Sequence, residues 1–154
     1  MAKTQRPAQA PAASGTEWLT ATELRTLEAV CEALIPSAPA PDGERDTTGL
    51  YARTARDLQV PQLLAETLAA ESPESRADFK KLLGTLNQPL VGMLLAGRPQ
   101  GFASMSLAAR QNALRRMSIS SIGGGQLRQG FQAVKRLAGF IFYSAPNADG
   151  LNPN

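Results

Sequence analysis

The closing stretch LRQGFQAVKRLAGFIFYS, from Leu127 to Ser144, constrains the fold more than any other part of the chain. At about 100° per residue, Leu127, Phe131, Val134, Ala138, Ile141 and Phe142 fall on one side of a helix. Arg128, Gln132, Lys135 and Arg136 fall on the other. A segment patterned this way is a helix laid along a core by one face. Its last turn breaks the pattern, because Phe140 and Tyr143 point to the polar side and leave the helix end apolar nearly all round. A helix end of that kind is normally covered all round. Either the same chain folds over both sides, or a second polypeptide covers one of them.

The rest of the sequence reads as further helices, each with a local start or stop signal. In LTATELRTLEAVCEALIP, Thr20 and Glu23 stand at the spacing of a capping box, and Leu19 and Leu24 at that of a hydrophobic staple. Pro36 closes that helix, since the residue before a proline avoids helical backbone. PSAPAPDGERD (Pro36–Asp46) is a loop. A second helix is expected over Gly49–Leu58, with Tyr51, Ala55 and Leu58 on one side, and a third from Pro61 with Leu63, Leu64 and Leu68. Ser72 and Pro73 read as cap and first residue of a fourth, whose stripe is Phe79, Leu82, Leu83 and Leu86. Pro89 opens a short, very apolar fifth segment, PLVGMLLAG. Ser106 caps a sixth, with Leu107, Leu114 and Met117 inward and Arg110, Arg115 and Arg116 at its margins.

Valine and isoleucine number only four each, against 25 alanines and 20 leucines, which favours helix over strand. The expected class is therefore all-α: an irregular bundle of six or seven helices in one domain. The expected boundaries are a disordered Pro/Ala-rich arm over residues 1–17, a helical domain over 18–144 and an extended tail over 145–154.

The residue inventory narrows the chemistry. The sequence has no histidine, the commonest general base and metal ligand, and a single cysteine, Cys31, which sits in an apolar helical run and reads as core. No stretch is long and apolar enough to span a membrane. The first residues lack the apolar middle of a secretory signal and a twin arginine, so the expected location is cytoplasmic. Charge is unevenly placed. Residues 1–97 carry nine basic and twelve acidic side chains, a net of −3, while residues 98–154 carry seven basic side chains and only Asp149, a net of +6. A basic final third invites an acidic partner.

The triple glycine at Gly123–Gly125 precedes this helix and raises the question of a phosphate loop. The dinucleotide fingerprint needs a third glycine where Arg128 stands, and it needs a preceding strand where LRRMSIS reads as helix. The Gly-Lys-Ser/Thr ending of the other phosphate loop is missing too. The glycines read instead as a joint between two helices. Nucleic-acid binding finds no support either, because the aromatics stand at helical core spacing and no recognition motif accompanies the arginines.

FASMSLAARQNALRRMS, followed by LRQGFQAVKRLAGFIFYS and GLNP, resembles the N-terminal helical region of long-chain fatty alcohol oxidases, flavoproteins of the glucose–methanol–choline oxidoreductase superfamily. LTATELRTLEAVCEALIPS and GLYARTARDL resemble the start of the same region. The chain is more distantly similar to the small third subunit of gluconate 2-dehydrogenase-type enzymes. The likeness spans residues 18–153 and is most specific at Phe131, Lys135, Phe140, Phe142, Tyr143 and Ser144, with Asn152-Pro153.

The resemblance implies an accessory role. The chain would have no catalytic, cofactor-binding or metal-binding residue, and flavin adenine dinucleotide (FAD) would sit in a partner flavoprotein that oxidises bulky or long-chain alcohols. The residues expected to meet that partner are Arg128, Phe131, Lys135, Arg136, Phe140, Phe142 and Tyr143. The alternative reading is a lipid-binding protein whose basic final third lies on a membrane surface.

Overall fold

The computed structural model describes residues 15–46, 49–119 and 125–146. Among them are six α-helices, one 3-10 turn and no strand, so the all-α expectation holds. The helices are α1 (Ala21–Leu34), α2 (Val60–Ala69), α3 (Pro73–Leu86), α4 (Pro89–Ala96), α5 (Leu107–Ile119) and α6 (Gln126–Ser144), with the 3-10 turn at Phe102–Ser104. The arm expected before residue 15, Gly123 and Gly124, and the tail from residue 147 lie outside the described residues.

α1 is the hub. It packs against α2, α3, α5 and the 3-10 turn. Its centre is apolar on nearly every side, and Leu27, Val30 and Cys31 are all buried. Thr26 is also fully buried, and its hydroxyl donates to the Thr22 carbonyl at 2.9 Å, so the buried oxygen is satisfied within its own helix. The expected capping box is present: the Glu23 amide donates to the Thr20 hydroxyl at 3.2 Å, and the Thr20 amide donates to the Glu23 carboxylate at 2.8 Å.

Trp18 fastens the entry to α1. Its indole N–H donates to the Ala65 carbonyl of α2 at 3.1 Å, and its ring lies 6.0 Å from that of Phe79 on α3. The Lys80 ammonium returns the tie, donating to the Trp18 carbonyl at 3.0 Å and standing 3.4 Å from Glu23. The chain is thus already folded at residues 15–18, a turn that begins inside the span expected to be a loose arm.

The helix expected over Gly49–Leu58 does not form. Residues 50–52 and 55–59 are turns. Thr54 and Asp57 do begin as a helix would, the Thr54 amide and hydroxyl both donating to Asp57 at 2.8 Å. The segment's backbone is committed elsewhere: the Tyr51 carbonyl accepts from the Ala38 amide at 2.8 Å, and the Ala55 amide donates to the Ile35 carbonyl at 3.2 Å. The chain reverses instead at Gln59, a left-handed residue with φ 50°, and α2 starts afresh at Val60. Ala55 is still buried, so the apolar spacing marked a real inward contact but not a helix.

α3 and α5 start where their caps place them, and α4 where its proline does. The Ser75 amide donates to the Ser72 hydroxyl at 3.1 Å, Pro89 occupies the first turn of α4, and the Ala109 amide donates to the Ser106 hydroxyl at 3.3 Å. Leu107 differs from expectation: it is 39 % exposed rather than inward. As the first residue of α5 it stands at the edge of the buried face, which Ala113, Leu114 and Met117 fill. Gly92 allows the closest approach in the bundle, since a Cβ there would fall on the Gln100 carbonyl oxygen and 2.9 Å from that of Arg98.

Candidate functional site

α6 begins at Gly125, whose φ of 84° suits glycine and lets the chain enter the helix sharply. The stripe read from the sequence is buried in full, from Leu127 to Phe142. That corrects two of the expected partner contacts. Phe131 and Phe142 are 4 % and 8 % exposed, and both are spent on the chain's own core, because the side of α6 they occupy packs on α2 and α5.

Phe140 and Tyr143 stand apart from them. They are 71 % and 57 % exposed at the end of the same helix. The Tyr143 ring meets that of Phe142 edge to face at 5.3 Å, so a buried aromatic steadies an exposed one. Arg128, Lys135 and Arg136 are exposed on the same outer side, and none forms an ion pair among the described residues. Arg136 precedes Phe140 by four residues and Tyr143 by seven, the spacing of neighbours along one helix face.

The loop before α2 reaches this end of the molecule. Tyr51 donates its hydroxyl proton to Glu44 at 2.8 Å. That hydrogen bond, with smaller contributions from desolvation and from nearby Glu44, Asp46 and Tyr143, raises the Tyr51 hydroxyl above its ordinary 10.0. Tyr51 and Tyr143 are therefore neighbours, and the aromatic end of α6 is bordered by a loop carrying carboxylates.

A groove of about 780 Å³ runs between α2, α3 and α6. Leu64, Leu68, Phe79, Leu82 and Leu137 give it an apolar floor, and Glu71, Asp78 and Lys81 stand among its polar lining residues. The α6 wall includes Gln126, Gln129, Ala133 and Leu137, and Phe140 continues that row one turn further on. The exposed aromatic end and the groove thus share one helix row.

The sequence left open which side of PLVGMLLAG faces water. In α4, Val91 and Leu95 are buried, while Leu90, Met93 and Leu94 are 69 %, 51 % and 54 % exposed. Their apolar character was visible in the sequence, but the packing of α4 on α5 decides which side is left uncovered.

The side chains exposed at this end of α6 are aromatic and cationic. Burial, reinforced by Glu28, pushes the Cys31 thiol up to about 12, so it stays protonated inside α1. Among the described residues, no three His, Cys, Asp or Glu side chains are grouped so as to hold a metal ion, and no helix is long and apolar enough to cross a membrane. Compared with known protein families, with curated proteins and with solved structures, the chain matches none.

Proposed function

We propose that this chain is a non-catalytic helical subunit that binds and stabilises an FAD-dependent alcohol oxidase or dehydrogenase of the glucose–methanol–choline type. The observation that carries the proposal is the exposure of Phe140 and Tyr143 at the end of a helix whose other aromatics are buried. Large aromatics in a patch that becomes desolvated supply much of an interface's binding energy. Arg136 beside them, with Lys135 and Arg128 further round, would set orientation against an acidic rim on the partner. The identity of the partner rests on the resemblance of Leu127–Ser144 to the helical region of the fatty alcohol oxidases. The same resemblance supports bulky or long-chain alcohols as the partner's substrates. The groove that leads up to Phe140 offers that partner a continuous strip of contact.

The test is co-purification with a flavoprotein of that superfamily. Phe140→Asp with Tyr143→Asp leaves the helical content unchanged, because neither side chain belongs to the core. It weakens the complex by about a thousandfold, two anchors at roughly 2 kcal/mol each. Retention of the flavoprotein by the double variant would show that the anchor lies elsewhere.

A further inference from the structure

The α4–α5 side of the bundle carries a second surface of different chemistry. Leu90, Met93 and Leu94 lie at i, i+3 and i+4, so they form a single ridge along α4. More than half of each side chain's accessible surface is open, so the ridge projects outward rather than lining a groove. A recess of about 520 Å³ opens between α4 and α5, lined by Arg98, Arg115 and Arg116 together with Ser106 and Asn112; Ala96, which also lines it, follows Met93 of the ridge by one helical turn. None of the three guanidinium groups has a hydrogen bond or ion pair among the described residues. Arg110, one turn away, is the contrast, because it is held by Glu32 at 2.7 Å and by the Ala103 carbonyl at 3.0 Å. The sequence supplies no local counter-charge: from Phe79 to Ala148 there are nine lysines and arginines and no aspartate or glutamate.

We propose that this side of the bundle docks on an anionic phospholipid bilayer, with Leu90, Met93 and Leu94 among the acyl chains and Arg98, Arg115 and Arg116 against the lipid phosphates. Aliphatic side chains beside a cluster of cations are the composition of a surface that lies in a membrane interface. The three cations complement phosphate, and lipid binding relieves the repulsion that otherwise stands among them. A protein partner is less well served. Protein interfaces also favour Met and Arg, but they are anchored by aromatic side chains seated in matched pockets, and this ridge carries no aromatic side chain. A fluid bilayer adapts to a convex ridge without a matched cavity. This docking is independent of the proposed flavoprotein contact, since its residues are on α4, on α5 and between them rather than at the end of α6.

The full chain is sedimented with vesicles of phosphatidylcholine, with and without a minor fraction of phosphatidylglycerol. The wild type pellets with the anionic vesicles only, and less so in raised salt. The triple variant Arg98→Ser, Arg115→Ser and Arg116→Ser lowers the partition coefficient roughly a hundredfold, about fivefold for each cation removed. The triple variant Leu90→Ser, Met93→Ser and Leu94→Ser no longer pellets. Both keep the wild-type circular dichroism spectrum, since the replaced side chains are exposed, and both still bind whatever flavoprotein the wild type binds. The proposal fails if the wild type ignores anionic vesicles, or if either variant pellets as the wild type does. Displacement by millimolar inorganic phosphate would reassign the recess to free anions, and binding to soluble polyglutamate in place of vesicles would reassign it to an acidic protein. Either result overturns the proposal.

Discussion

Single atoms decide where this bundle tolerates change, and its glycines show it. Gly92 has no room for a side chain, since the Gln100 and Arg98 carbonyl oxygens and the Met105 methyl already surround the place a Cβ would take. Backbone atoms cannot move aside as a flexible side-chain end can. Gly84, on the exposed side of α3, has nothing within 4 Å of the same position. The two alanine substitutions should therefore have opposite signs. Gly92→Ala costs about 3 kcal/mol through overpacking. Gly84→Ala stabilises by about 0.5–1 kcal/mol, because alanine loses less backbone freedom on entering a helix. Urea denaturation of the two variants checks both signs, and a mild effect at Gly92 would mean that the 98–105 connection can shift. The sequence shows both residues as helical glycines and cannot tell them apart, because the atoms that fill the space at Gly92 come from the chain that returns after α4.

At the scale of the helix, the first turn of α1 holds a carboxylate under tension between two environments. Partial burial works to raise Glu23, but hydrogen bonds from Thr20 and the nearby Lys80 ammonium outweigh it and hold the carboxyl below its ordinary 4.5. A carboxyl lowered in the folded state stabilises the fold above its unfolded value, and that contribution disappears as the pH falls through the lower, folded value. Glu23→Gln keeps an acceptor for the Thr20 amide but loses the charge beside Lys80 and the helix N-terminus, so it should destabilise at neutral pH by up to about 1 kcal/mol. Its deficit against the wild type should shrink below pH 4.5, which thermal melts across the acid range would record. The starts of α1, α3 and α5 were readable in the sequence because capping is chemistry between residues three or four apart, and that of α4 because a proline suits a first helical turn. The Gly49–Leu58 segment misled for the same reason: its spacing and its Thr54–Asp57 cap are local and helical, but its backbone groups are taken by Ile35 and Ala38 in the chain that follows α1. On α6 the buried stripe was readable in full. The same spacing had already set Phe131 and Phe142 on the core side and Phe140 and Tyr143 on the other; it was the resemblance that counted all four as partner contacts, and burial leaves only Phe140 and Tyr143 of them accessible.

For the molecule as a whole, the hub position of α1 makes Cys31 a gauge of complete unfolding. The thiol is fully buried and held up to about 12, and α2, α3, α5 and the 3-10 turn all pack on its helix. Exposing it requires α1 to part from these neighbours. A thiol reagent should therefore label the native protein at least about a thousandfold more slowly than the urea-unfolded chain, in keeping with a domain stable by some 5 kcal/mol or more. Fast labelling without denaturant would mean that α1 opens separately from the rest. The tertiary plan that protects Cys31 was the part least visible beforehand. Glu32 and Arg110 are 78 residues apart, and no periodicity or cap links them. The exposed ridge of α4 was hidden in the same way, since PLVGMLLAG is apolar throughout and only its neighbours determine which side stays wet.

The chain's one tryptophan is clamped between α2 and α3 by its own N–H, by its carbonyl and by the Phe79 ring. Neither the aromatic terminus of α6 nor the arginine recess includes it. The indole, the strongest intrinsic fluorophore of the chain, thus stands at the structural joint, while only the weaker Tyr143 stands at the end of α6. Emission from that indole tracks folding by itself, and an extrinsic dye near Ser144 or Ile119 can follow association in the same cuvette without spectral confusion.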